Sequence, residues 1–233
     1  ITQPEHLAHW FPADVTIDGD RIGYGFGPDG RITHHDEPHL FAHTWGDDEL
    51  RWEIQPDGDG SILTLTHTFT DRHGAASFAS GWHTCIAALA AHLDQRPIRP
   101  PADSARLHEH YIAILGLDPA TTHHGAVRLE RQLARPADQV WHHLHGHQAA
   151  LGAPPPAPFT VAGRAAGPVT RLENAKLLEY GDIRWELTEG TGHGARLVIT
   201  GADPADLPAW RALVEELAAG LVDDGFVDGE SGS

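Results

Sequence analysis

The chain has 233 residues, 40% of them hydrophobic, enough for one large domain or two of about 110 residues. Its 16 Lys and Arg against 33 Asp and Glu give a net charge of −17 at pH 7, which repels phosphate backbones and anionic lipid surfaces, and nucleic acid and membrane are set aside as partners. A single cysteine, Cys85, rules out an internal disulfide and suits a reducing compartment, the cytoplasm by default, and no apolar run approaches the ~20 residues of a membrane-spanning helix.

From the N-terminus, Pro4 to Phe11 reads as a short helix: proline suits a first turn, Glu5 favours the positive end, and Leu7, Trp10 and Phe11 follow helical spacing. Alternating segments follow at Val15 to Ile17 and Ile22 to Phe26, with Pro28-Asp29-Gly30 as a hairpin turn, and then at Leu40 to Trp45, Leu50 to Ile54 and Ile62 to Thr70. A period of two puts Leu50, Trp52 and Ile54 on one face, and Leu63, Leu65, His67 and Phe69 on another shared face. From Phe78 to Leu93 the period becomes 3.6, with Phe78, Trp82, Cys85, Ile86, Leu89 and Leu93 on one stripe. An antiparallel meander crossed by a long helix is predicted, then a Pro/Arg-rich linker, a short helix over Ala102 to Leu115, and a domain boundary within Leu117 to Gly125.

The second half repeats the first. Ile183-Arg184-Trp185-Glu186-Leu187 corresponds to Leu50-Arg51-Trp52-Glu53-Ile54, Leu197 to Thr200 corresponds to Leu63 to Thr66, and Leu207, Trp210, Leu213, Val214, Leu217 and Leu221 form a second helical stripe. The offset is domain-sized. This second copy opens with a strand at Val127 to Leu133 and a helix from Pro136, neither of which has a counterpart at the start of the first copy. A first copy without its opening strand is therefore expected, with the natural protein beginning roughly 15–25 residues earlier. The division is 1–118, 119–222 and an acidic tail, 223–233.

The run Ile1-Thr2-Gln3-Pro4-Glu5-His6-Leu7-Ala8-His9-Trp10-Phe11-Pro12, with Glu37-Pro38, Thr44-Trp45, Leu50-Arg51-Trp52-Glu53 and Gly81-Trp82-His83, resembles the Hsp90-ATPase-activator-like (AHSA1-like) branch of the START-like superfamily over nearly all of residues 1–115. In the second half the resemblance is carried by Arg135 to Trp141 and by Ile183 to Leu187. That half departs at Pro154-Pro155-Pro156 and Pro158 and lacks Gly-Trp-His, as a degenerate copy would. The resemblance implies an α+β fold of two helix-grip domains, each an antiparallel sheet wrapped around a C-terminal helix with a cavity between. Family members bind small apolar or amphipathic molecules, act as Hsp90-type cochaperones, or catalyse cyclisation and related steps.

Ten residues are candidates to line the first cavity: Trp10, Phe11, Phe41, His43, Trp45, Trp52, His67, Trp82, Cys85 and Leu89. Large aromatics at core spacing usually pack, so a filled core is the competing reading. His67 and His43 are the acid or base groups that a cyclase-like or dehydratase-like enzyme would need. No cofactor is implied. Gly25-Phe26-Gly27-Pro28-Asp29-Gly30 matches a dinucleotide fingerprint in letters alone, because Arg31-Ile32-Thr33 continues as strand. His34, His35, His39 and His43, and His142, His143, His145 and His147, lack a zinc motif and read as solvated surface, although His143 and His147 are spaced to share a helix face. Ser77 and Ser80 near His73 and His83 lack a nucleophile elbow.

Overall fold

Alternating apolar residues build the N-terminal half into a six-stranded antiparallel meander, β1 (Val15–Asp18), β2 (Arg21–Tyr24), β3 (Gly30–Asp36), β4 (Leu40–Trp45), β5 (Asp48–Asp57) and β6 (Gly60–Thr68), in sequential order. This computed structural model describes residues 2–25, 27–117, 120–123 and 126–223. Two compact units emerge, residues 1–72 with 81–100 and residues 73–80 with 101–233.

In the first unit, α1 (Pro4–Leu7) is shorter than its sequence pattern suggests; Trp10 and Phe11 are instead tied back by amides donating to the Leu7 carbonyl at 3.0 and 2.8 Å. The register sets the chemistry of the sheet. Phe41 pairs with Trp52 and Trp52 with Leu65, while two residues along His43 pairs with Leu50 and Leu50 with His67. Same-parity residues share a face, so two cross-strand ladders run side by side. Against that face lies α2 (Ala75–Leu93), presenting Trp82, Cys85, Ala88 and Leu89 to a core of Leu7, Trp10, Val15, Ile22, Phe41 and Trp52. Gly30 is obligatory where β3 leaves the β2 turn, since a β-carbon there would overlap the Thr44 carbonyl.

The second unit contains α3 (Ser104–Ile114), β7 (Ala120–His123), β8 (Ala126–Gln132), α4 (Ala137–His143), β9 (Val169–Glu173), β10 (Leu177–Tyr180), β11 (Ile183–Glu189), β12 (Ala195–Ala202) and α5 (Leu207–Asp223). Its sheet runs β7-β8-β12-β11-β10-β9, so the opening strand β8 closes on the last strand β12. By contrast β6, the equivalent last strand of the first unit, pairs among the described residues with β5 and forms an edge. The second core is separate, built on Trp185, Phe159, Leu129, Ile199, Trp210, Val214 and Leu221.

The structure departs from several sequence expectations. The segment expected as a boundary contains β7, paired with β8; residues 118, 119, 124 and 125 within it lie outside the described residues, as do 224–233 of the acidic tail. Helix α3, placed with the first domain by its position, sits in the second unit because Arg131 on β8, 2% exposed, donates to Glu109 of α3 at 2.6 Å and lies 3.4 Å from Glu215 of α5. The proline-rich stretch leads into a single 3-10 turn, Ala157–Phe159. It delivers Phe159, 0% exposed, between Trp141 and Trp185 at centroid distances of 5.4 and 5.1 Å, and the Phe159 carbonyl accepts from Tyr180 Oη and Trp185 Nε1. His143 and His147 do not share a helix face: α4 ends at His143 and His145 turns left-handed at φ 55°, which stacks His147 on His142 instead, at 5.4 Å.

Candidate functional site

The two ladders of the first unit, α2 and the stretch after α1 converge on one chamber. Its walls are Leu7, Trp10, Phe11, Val15, Ile22, Tyr24, Phe41, His43, Trp52 and Trp82. Six of the ten residues selected from sequence are among them. The other four sit around the rim: Trp45 stands 6.0 Å from the Tyr24 ring and 6.3 Å from His67, His67 binds the Trp82 indole, and Cys85 and Leu89 pack from α2 into the same core. Tyr24 and Asp48 are not among those ten. The alternation Ile22-Gly23-Tyr24 carried a signal for Tyr24, whereas Asp48 reaches His67 across a strand pairing that spacing along the chain does not reveal.

The rings interlock edge to face, Trp10 with Trp52 at 6.3 Å and Trp52 with Trp82 at 5.4 Å. They leave a void of about 20 Å³, room for about one water molecule. The roomy cavity expected from the fold is thus closed in this state by its own aromatic lining. Phe41, Trp52, Trp10 and His43 are buried, but Phe11, Tyr24 and Trp82 are only partly so. One wall of the chamber therefore consists of side chains that reach solvent.

Two polar chains enter the chamber. His43 Nδ1 lies 3.0 Å from the Thr44 carbonyl, which can only accept, so Nδ1 carries the proton and Nε2 accepts from Tyr24 Oη at 3.1 Å. Burial lowers the His43 pKa, with the Thr44 bond opposing, and burial raises the Tyr24 phenol well above its ordinary range. Both are neutral near pH 7. In the second chain Trp82 Nε1 donates to His67 Nδ1 at 3.1 Å, which leaves the His67 proton on Nε2, directed to Asp48 at 3.1 Å. Burial lowers the His67 pKa against the pull of Asp48. Both imidazoles are engaged at both nitrogens, an arrangement that fixes them rather than leaving a base facing the void. Burial also pushes the Cys85 thiol up to about 11, far from the thiolate that nucleophilic chemistry needs.

The second unit carries larger openings. One of about 300 Å³ lies among the Thr160–Gly167 loop, the Tyr180–Ile183 turn and the head of α5. Another of about 540 Å³ is lined by His142, His143, His145 and Glu216 with Leu213 and Leu217. Among the described residues, no group of three or more His, Cys, Asp or Glu has the geometry to hold a metal ion, and no helix is long and apolar enough to cross a membrane.

Two successive antiparallel sheets, each closed by a long C-terminal helix, make an α+β fold of two helix-grip domains. Residues 1–94 match the model of the family described as activator of Hsp90 ATPase homolog 1-like protein. No curated protein matches the chain. Among solved structures the chain is similar to CalU16 from Micromonospora echinospora, with 17% identity, 49% of this chain and 73% of that one covered, and a TM-score of 0.42. It is also similar to DynU16, a protein of the dynemicin biosynthetic locus, with 16% identity, 95% and 90% coverage and a TM-score of 0.37.

Proposed function

We propose that the first unit binds a small, largely apolar molecule carrying one hydrogen-bonding oxygen, in the chamber bounded by Trp10, Phe41, Trp52 and Trp82. The observation that carries this reading is the wall of partly exposed rings, Phe11, Tyr24 and Trp82, over an otherwise buried aromatic enclosure. Rings on that side swing outward without unfolding a strand, and a guest takes their place against Trp52 and Phe41. Tyr24 then offers its neutral hydroxyl to the guest's oxygen in exchange for His43, so orientation costs no buried charge. The engaged imidazoles and the protonated thiol favour binding over reaction.

Burying about 250 Å² of a guest's apolar surface gains roughly 6 kcal/mol, a dissociation constant of tens of micromolar before the cost of ring displacement. The test is titration with the fluorescent hydrophobe ANS, followed by displacement with small phenols and ketones. Saturable, displaceable binding by the folded chain, weakened by Tyr24→Phe for oxygen-bearing competitors, supports the reading. Absence of saturable binding, or displacement indifferent to the competitor's oxygen, contradicts it.

A further inference from the structure

The cavity of about 300 Å³ in the second unit is at the lower end of the size range of small-molecule sites, and its polar groups are unevenly committed. Its floor is aromatic and apolar, from Tyr180, Trp210, Val161 and Ile183. The Tyr180 hydroxyl donates to the Phe159 carbonyl at 2.6 Å, and burial pushes its pKa up to about 12, so the floor offers ring faces in place of a polar group. At the mouth the guanidinium is already paired: Arg164 Nη2 and Nε lie 2.8 and 2.6 Å from the two carboxylate oxygens of Asp206, and Nη2 lies 3.9 Å from Asp203.

What remains is acceptor capacity. Asp182 lines the cavity, and Asp203 spends one oxygen capping the Ala205 amide at 2.9 Å. The other charge at the mouth is the positive end of α5, equivalent to about half a charge. Three carboxylates against Arg164 and that half charge leave the mouth negative by about one and a half charges, above aromatic rings. Asp182 is also held in place by the backbone. Gly201 sits at φ 85° where β12 shifts register, and a β-carbon there would overlap the Asp182 carbonyl.

We infer that this cavity is a binding site for a small apolar cation, an arylalkylamine or quaternary ammonium, with its ring against Trp210 and Tyr180 and its charge at Asp182 and Asp203. Ring-on-ring packing at the floor and the carboxylates at the mouth act together, and Arg164 is the competitor already in place. The inference is independent of the chamber in the first unit.

Calorimetric titration of the full chain with phenethylammonium and its neutral counterpart 2-phenylethanol tests it. The amine binds at least tenfold tighter than the alcohol at low salt, and the preference shrinks as ionic strength rises. Asp182→Asn weakens the amine severalfold without affecting the alcohol, and Arg164→Gln, which removes the resident cation, tightens the amine. Equal binding of amine and alcohol, or an amine affinity indifferent to both substitutions, overturns the inference. ANS binding by the first unit is read separately, so either site can fail without the other.

Discussion

Replacing Trp82 by alanine probes the chamber most severely. The ring stands 5.4 Å from Trp52 and 6.2 Å from Phe11, and its indole donates to His67 at 3.1 Å. A fully buried Trp→Ala costs about 3–5 kcal/mol; Trp82 keeps part of its surface in water, so about 2–4 kcal/mol is expected, including the donor lost to His67 Nδ1. For a domain of this size that lowers the first unit's melting temperature by roughly 10–20 °C. The void grows from about 20 Å³ to roughly 150 Å³, a size at which an apolar cavity stays dry and accepts an aromatic guest. Indole at ten times its dissociation constant restores about 1.4 kcal/mol. Differential scanning fluorimetry with and without indole reads both effects. A loss below about 1 kcal/mol, or an indole shift no greater in Trp82→Ala than in the parent, refutes the picture of a ring-filled chamber.

Burial holds His43 and His67 below the ordinary imidazole value, so the unfolded chain takes up protons first as pH falls. Their contribution is complete above about pH 6.5 and is lost below it, each by up to about 1.4 kcal/mol per pH unit; urea unfolding followed by tryptophan fluorescence should show this slope, and His67→Gln should reduce it. Arg131→Met strands Glu109, whose pKa is lowered because hydrogen bonds from His108 and Arg131 and the Arg131 charge outweigh the burial that opposes them. The expected loss in chemical denaturation is about 3–5 kcal/mol, part of it recovered when Glu109→Gln is added. Gly201→Ala forces an alanine into a left-handed backbone position against Asp182 and should cost about 1–3 kcal/mol in the second unit, read by the same unfolding curves.

The parts of the fold legible in sequence were those written in short-range periodicity. The alternation at Leu40 to Trp45 corresponds to β4, and the stripe from Leu207 to Leu221 to α5. The strands Val169–Glu173 and Leu177–Tyr180 escaped because each is too short for alternation to stand out and they follow a proline-rich stretch whose role, seating Phe159, depends on partners 18 and 26 residues away at Trp141 and Trp185. The site was legible as a list of inward faces, since parity on β4, β5 and β6 puts Phe41, His43, Trp52 and His67 together. Its volume was not legible. Whether ten side chains enclose a ligand-sized space or interlock to about 20 Å³ is decided by ring orientation, which residue type and spacing leave open.

Fluorine NMR of the chain labelled with 5-fluorotryptophan addresses the chamber most directly, because Trp10, Trp52 and Trp82 wall it while Trp141, Trp185 and Trp210 belong to the other core. Titration with a small phenol is predicted to move the first three resonances together and saturably, leaving Trp141 and Trp185 in place. Movement of all of them alike, or of none, would contradict a guest site between the first sheet and α2.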